Sequence, residues 1–561
     1  MTRHSSAIAA VLVLTGPMLI SVSRAASTAP ACATSADLPP AGRWDGEVDS
    51  LRVCLRLSLE RGQFARVTVE RGSGSRVLLE ATALGPGDSV PFLRTDVSVD
   101  VVWRALSWEA RSTGVYSIVL SAPRRLQDVR VTVTEIADRS LLAARRQELA
   151  RDPRVAWLAA RAIPIRTLQP TDTDFRDLRP LIPLLANVRV VLLGEADHGD
   201  GSDFLAKSRL IRFLHAELGF DVLAFEAGVY DMWRAWREIS AGQDPMTSFT
   251  QGAFWMWAQA RQLEPLVSYV AQAARGPRPL VLAGIDVNRS GRTASSDTLI
   301  AELTTFLNAN GVPGPLADAQ SPETQLLTRL HNYQFRPAPD SAALAALAGA
   351  ASSTAERIER DVATEDGRYW ARTLWNVAAR VAGSEWRRPY CATDACLNAP
   401  DRDPEMAQNL KWLANQMYPD RKIIVWAHNA HIARNFSILE SGRWSRYMMG
   451  DGVWSEFGDR SYSIAFVSYE GSYHWAHDQR PTYNIVPDQD PEAEFEELMA
   501  AAGQRVAVVD LRTAVADNTW LGQPFLARPI GHSTDRSRWG SNYDAFVFIR
   551  TQEPAVAIPW P

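Results

Sequence analysis

The sequence predicts an α/β protein: a mostly parallel central sheet with surrounding helices and a helical insertion, preceded by a small all-β sandwich. Three patterns carry that expectation. Residues 40–136 alternate apolar and polar positions with period two between Gly-rich turns, as half-buried antiparallel strands do. From residue 166 onward, short continuous apolar runs alternate with helical segments, as buried parallel strands joined by helical crossovers do. Between about 290 and 406 strand character gives way to helical periodicity, which reads as an insertion. The expected boundaries are 26–139 for the sandwich, 140–165 for a linker helix and 166–561 for the α/β unit.

In the sandwich, Leu51, Val53, Leu55, Leu57 and Leu59 face one way while Arg52, Cys54, Arg56 and Ser58 face the other. Arg61-Gly62, Gly72-Ser73-Gly74 and Gly85-Pro86-Gly87 supply the turns. No catalytic constellation stands out there, so attachment, packing or substrate contact is its expected work. The Ala/Arg/Leu-rich segment 140–162 predicts the linking helix. Core strands are expected at 188–193, 222–225, 279–285, 422–426, 462–467, 506–509 and 545–549. Helices of the insertion are expected at 299–307, 322–330, 341–348 and 355–381, with a Pro/Asp/Arg/Cys stretch at 388–404 returning the chain to the core.

Composition narrows the partners. The 561 residues are 46% apolar and 22% charged, with a net charge of −5. That balance gives no electrostatic case for nucleic acid or an anionic membrane surface. Arg3, the apolar stretch 7–20 and Ser23-Arg24-Ala25 form a secretory signal pattern over 1–25. No later apolar run of about 18 residues follows, so a periplasmic or secreted protein without a membrane span after signal cleavage is expected. Four cysteines fit export. Cys32 can pair with Cys54 and Cys391 with Cys396, although three pairings are possible and free thiols stay open. No Cys-x-x-Cys motif exists, which argues against a thiolate zinc site or a thioredoxin-type role.

The chemistry concentrates at four strand ends. The first apolar run breaks into Gly194-Glu195-Ala196-Asp197-His198-Gly199; the second ends on Glu226, the third on Asp286, and the fourth on His428 and His431. If the strands are parallel neighbours, these groups converge on one sheet edge, where α/β proteins bind ligands. A carboxylate beside an imidazole raises its basicity, as general-base catalysis requires. The plainer reading makes Asp197 or Asp200 a helix cap and His198 a satisfied polar group. A helix is expected over 202–218, with Phe204, Ile211, Leu214 and Leu218 on one stripe. Lys207 shares that stripe: it either snorkels to solvent or turns into the carboxylate cluster. Of the 19 Trp, Trp233 and Trp257 are assigned with Asp286 to substrate binding. Trp236 and Trp255 are further cleft candidates, against a core reading for all four. Arg261 and His532 stay outside the catalytic set. No Gly-x-Ser-x-Gly elbow and no phosphate-binding Gly-x-x-x-x-Gly-Lys loop occurs.

These segments together resemble the erythromycin esterase family. The resemblance rests on the Gly194–Gly199 loop, Lys207 twelve positions after Glu195, Ala224-Phe225-Glu226, Gly284-Ile285-Asp286 and Trp426-Ala427-His428-Asn429-Ala430-His431. It extends to Met449-Gly450, Tyr462-Ser463-Ile464, Pro529-Ile530-Gly531 and Tyr543-Asp544-Ala545-Phe546-Val547-Phe548, spanning roughly 165–555. It implies hydrolysis of an ester or macrolide lactone without a covalent nucleophile. By the same resemblance His198 is the general base, Glu195 and Glu226 orient it and the water, and Lys207, His428 and His431 position the carbonyl or stabilise its oxyanion. Asp197 and Asp200 stand where the family usually has Thr and Thr or Ser, and the β-domain is additional. The expected partner is a small-molecule ester or lactone, with no cofactor. The same Glu/His set leaves a divalent metal open, and with it a zinc, iron or haem-binding envelope protein.

Overall fold

The computed structural model describes residues 32–558 except 33, 50–51, 72–76, 78, 89–90, 98–102, 138–143, 146, 292–295, 332–338, 383–401, 440–446, 477–482 and 486–491. The signal pattern and the Cys391/Cys396 pair lie outside the described residues. Cys32 and Cys54 form a disulfide.

The period-two alternation of the N-terminal region folds into two facing sheets. One has five strands in the order Thr34–Asp37, Val53–Leu59, Gly114–Ser121, Leu79–Leu84, Leu93–Val97. The other has four: Arg43–Val48, Leu126–Ala137, Phe64–Glu70, Trp103–Glu109. All pairs are antiparallel except Thr34–Asp37 with Val53–Leu59. Leu55, Leu57, Val67, Val69, Ile118 and Val131 turn inward from the two sheets into one apolar core. The linker departs from its expected form. Residues 144–145 and 147–149 are helical, a turn interrupts at 150–151, and a second helix runs over Pro153–Arg161, because Asp152 caps it by accepting the Arg154 N–H and Pro153 sits in the first turn, where its missing N–H is harmless.

The central sheet contains seven main strands: β1 (Val190–Leu193), β2 (Phe220–Gly228), β3 (Val281–Asp286), β4 (Lys422–Trp426), β5 (Ser461–Tyr473), β6 (Val506–Asp510) and β7 (Ala545–Gln552). Their order is β6-β7-β5-β1-β4-β2-β3. From β7 to β3 every neighbouring pair is parallel, and β6 joins β7 antiparallel at the edge. Ile163–Pro164 extends that edge beyond β6, and Tyr483–Ile485 pairs with the end of β5.

Strand alternation divides the interior into two cores. Val190, Leu192, Val222, Ala224, Ile423 and Val425 face the core shared with the helical insertion. Val191, Leu193, Leu223, Phe225, Ile424 and Trp426 face the core shared with helix α1 (Gly201–Leu218) and the helix Glu264–Ala274. Both faces are covered, which is why these strands are continuously apolar. Helix α1 ends at Gly219, whose φ of +74° places it in the left-handed region that favours glycine at a helix C-terminus.

The insertion forms helices at Ser296–Ala309, Pro322–His331, Ser341–Asp361 and Glu365–Ala382. The break between the last two falls near 362–364, not near 350 as expected. Ser352 and Ser353 return their hydroxyls to the carbonyls of Ala348 and Ala350, so that polar run continues the helix instead of ending it. Among the described residues no helix is long and apolar enough to cross a membrane.

Gly284 on β3 lies where a Cβ would collide with the backbone oxygens of Gly228 and Ala227 on β2. Gly284→Ala is expected to destabilise by about 1–3 kcal/mol, the usual range for overpacking, read as a lower urea midpoint with an unchanged slope.

Candidate active site

Register sets the site. Leu193 on β1 is level with Trp426 on β4, Trp426 with Phe225 on β2, and Phe225 with Gly284 on β3. One or two residues further along each strand come Glu195, His428, Glu226 and Asp286. The four chemical strand ends are therefore consecutive neighbours in one row, at the C-terminal edge where parallel sheets bind ligands. His431 joins them from the short helix α4 (Asn429–Ile432), and Arg402 and Asp403 from the first turn of α3 (Arg402–Trp412).

Glu195 has no solvent exposure and uses both carboxylate oxygens. Oε1 meets His198 Nδ1 at 3.0 Å and accepts the Trp257 indole N–H at 2.9 Å. Oε2 pairs with Lys207 Nζ. The ammonium is itself fully buried, 3.9 Å from the centre of the Trp426 ring and 3.4 Å from the Ala427 carbonyl oxygen. Lys207 thus does not snorkel. Burial lowers its pKa, opposed by the Glu195 charge that keeps the pair together. Trp257 comes from the short helix α2 (Trp255–Ala258) and sets its edge against His198.

The His198 ring is boxed by Trp257, His428 and Trp475, with centroids 5.2, 5.0 and 5.3 Å away. Burial opposes its protonation, but the hydrogen bond and charge of Glu195 outweigh it, and the pKa rises above the ordinary 6.5. With Nδ1 donating to the carboxylate, Nε2 carries the lone pair and has no hydrogen-bond partner among the described residues. The side chain retains 17% exposure, so that nitrogen is a basic atom within reach of solvent.

His428 is tied down differently. Its Nε2–H donates to the Ala196 carbonyl at 2.8 Å, and Nδ1 accepts the Ala430 N–H at 3.0 Å. Burial and the neighbouring histidines push its pKa well below the usual value, so it is a neutral strut between β4 and the Glu195–Gly199 loop. The Gly531 N–H donates to the same Ala196 oxygen.

A second charged group lies beside the first. Arg402 Nη2 reaches Glu226 Oε1 at 2.7 Å, and Arg402 Nε reaches Asp286 Oδ2 at 2.8 Å. His431 sits between Asp403 (Nδ1, 2.8 Å) and Glu226 (Nε2, 3.2 Å). Although burial disfavours its charge, the two carboxylates raise its pKa to about 10. Burial alone would raise Glu226, but His431 and Arg402 hold it well below the usual carboxylate range. The other Glu226 oxygen accepts the His428 backbone N–H at 2.9 Å.

The structure brings together Glu195, His198, Lys207, Glu226, Asp286, His428, His431 and Trp257. Trp233 is not among them. It is buried in the core beneath the insertion, stacked 5.1 Å from Tyr369. Asp200 does not cap α1; it accepts the Asp197 N–H and pairs with His532 Nε2 at 2.9 Å. Arg402, Asp403 and Trp475 escaped the sequence reading. Arg402 leaves one trace, since a cation in the first turn of a helix opposes the helix dipole; here three carboxylates offset that conflict. Among the described residues no group of three or more His, Cys, Asp or Glu is arranged to hold a metal ion. Lys207 pairs with Glu195, and Arg402 bridges Glu226 and Asp286.

The chain is similar to several known proteins. The sequence profile of the family described as erythromycin esterase matches residues 215–552. A Bacillus subtilis (strain 168) protein named "Putative hydrolase YbfO" is 24% identical over 422 residues, covering 72% of this chain and 92% of its own. The erythromycin esterase type II of Escherichia coli is 23% identical over 344 residues, covering 56% of this chain and 77% of its own. A solved Bacillus cereus protein superposes with a TM-score of 0.59 at 19% identity, covering 74% of this chain and 99% of its own; it shares the fold.

His431 is expected to keep both ring N–H groups up to about pH 10, while His428 is still neutral below pH 6.5; ring-nitrogen NMR reads both. Because the folded-state pKa of His431 is raised, its stabilisation is complete below about pH 6.5 and is lost as pH rises through about 10. The stability gap between wild type and His431→Asn should narrow across that window in denaturant titrations.

Proposed function

This chain belongs to the erythromycin esterase family, and on that premise we propose that it hydrolyses a carboxylic ester or macrolide lactone with water activated by His198. The single observation that carries this reading is the Glu195–His198 pair. Nδ1 is held by a buried carboxylate, and Nε2 faces the cleft. Among the described residues no serine, threonine or cysteine side chain is paired with that imidazole, so water is the nucleophile it can activate.

The steps follow from that geometry. His198 Nε2 takes a proton from water as the water oxygen bonds to the acyl carbon, giving a tetrahedral oxyanion. The C–O bond to the alcohol then breaks. The proton on Nε2 passes to the departing alkoxide, leaving an acid and an alcohol with His198 restored. Arg402 and His431, with side chains 21% and 16% exposed, are the cations at the cleft surface and receive the oxyanion. Lys207 is shut away beneath Glu195 and His428 is used as a strut; both position the catalytic loop. Export to the periplasm or outside the cell is the companion proposal, supported by the signal pattern and the Cys32–Cys54 disulfide.

His198→Ala is expected to lower kcat by about 10²–10⁴-fold, the range for removing a general base, in a protein that keeps a native circular dichroism spectrum but melts lower, because a partner of buried Glu195 is lost. Near-normal turnover in that variant would remove the assignment. His198 works unprotonated, so kcat/KM should fall as pH drops through an apparent pKa above 6.5. Glu195→Gln should move that limb toward lower pH, because the charge that raises the pKa is gone.

A further inference from the structure

The open side of His198 is walled by two tryptophans outside the proposed catalytic set. Trp255 begins α2 and is 39% exposed, whereas Trp257, two residues on, is fully buried against Glu195. Positions two apart on a helical turn diverge by about 200°, so one turn sends one indole under the base and the other to the cleft mouth. Trp475 follows β5 and is half-buried, its ring 5.6 Å from Trp255 and 5.3 Å from His198. Its indole N–H donates to Asp197 Oδ1 at 2.5 Å, and the same oxygen accepts the Gly199 N–H at 2.9 Å. Asp197 is only partly buried, and its Oδ2 has no partner among the described residues. A base, two indole rings and an open acceptor therefore share one wall.

We infer that Trp255, Trp475 and Asp197 recognise the ring of a carbohydrate ester, and this rests on the proposed hydrolysis at His198. A pyranose presents an apolar C–H face and a rim of hydroxyl donors. The face stacks on the indoles, a hydroxyl donates to Asp197 Oδ2, and the acyl carbonyl lies at His198 Nε2. A cationic ligand, which also binds over tryptophan, fits less well. Nothing in this wall encloses a cation, because Trp475 turns its indole N–H to Asp197 and its ring lies between His198 and Trp255.

The test uses the full chain, with glucose pentaacetate and ethyl acetate as substrates, acid release as the readout and methyl glucoside as a binding probe in saturation-transfer NMR. The expected result is a higher kcat/KM for the sugar ester. Trp255→Ala, at an exposed position, should lower the sugar-to-ethyl ratio by about tenfold through KM, matching the loss of one aromatic contact. Trp255→Phe should recover part of the ratio, and Asp197→Asn should lower it. A ratio unmoved by Trp255→Ala, or ethyl acetate turnover without methyl glucoside binding, overturns the inference and leaves the hydrolase reading standing. Methyl glucoside binding that is lost in Trp255→Ala, in a protein that turns over neither ester, supports the wall and overturns the hydrolase reading.

Discussion

Everything at the cleft hangs on the buried carboxylate of Glu195. A carboxylate without solvent is stable only if each oxygen is answered, and Glu195 is answered by Lys207 below, Trp257 to the side and His198 in front. Removing one partner of such a pair typically costs about 3–5 kcal/mol, so none of the three can drift. The carboxylate fixes the tautomer of His198 and raises its pKa, and the ammonium under it limits how much negative charge the imidazole feels.

The second group extends the same logic. Glu226, Asp286 and Asp403 would repel one another at the end of a sheet, and Arg402 and His431 hold them together. Both cations keep some exposure while the carboxylates do not, so the surface offered to a substrate is positive above a negative layer. In the proposed reaction an acyl oxygen acquiring charge meets that surface, and a neutral His428 separates it from His198. The pKa of His431 is raised, that of Glu226 is lowered and that of His428 is lowered. Environments that push neighbouring groups apart in this way give each a distinct proton task.

Much of this was legible in the chain. Seven apolar runs named the seven main strands of the sheet, and the period-two region named the sandwich, because burial of an apolar face leaves a local signature. Glu195, His198, Glu226, Asp286, His428 and His431 were visible as polar residues at apolar strand ends. Lys207 was visible only as an odd residue on an apolar stripe. Less legible were boundaries set by hydrogen bonds, such as the restart at Pro153 and the continuous helix through Ser352 and Ser353. Trp233 shows the limit for aromatics: a tryptophan near the motifs in sequence can serve either the cleft or the core, and here packing against Tyr369 decides for the core.

By itself, then, the sequence determined which strands exist and which of them end in ionisable residues, the Glu195 and His198 pair among them, since these depend on periodicity and residue type along short stretches. Only the tertiary structure decided that β1, β4, β2 and β3 lie side by side, that Arg402 at the end of the insertion bridges Glu226 and Asp286, and that Trp475 closes over His198. Those contacts join residues far apart in the chain, Arg402 and Glu226 by 176 positions and Trp475 and Asp197 by 278. They are selected by charge balance and packing in the folded interior, which no local pattern encodes.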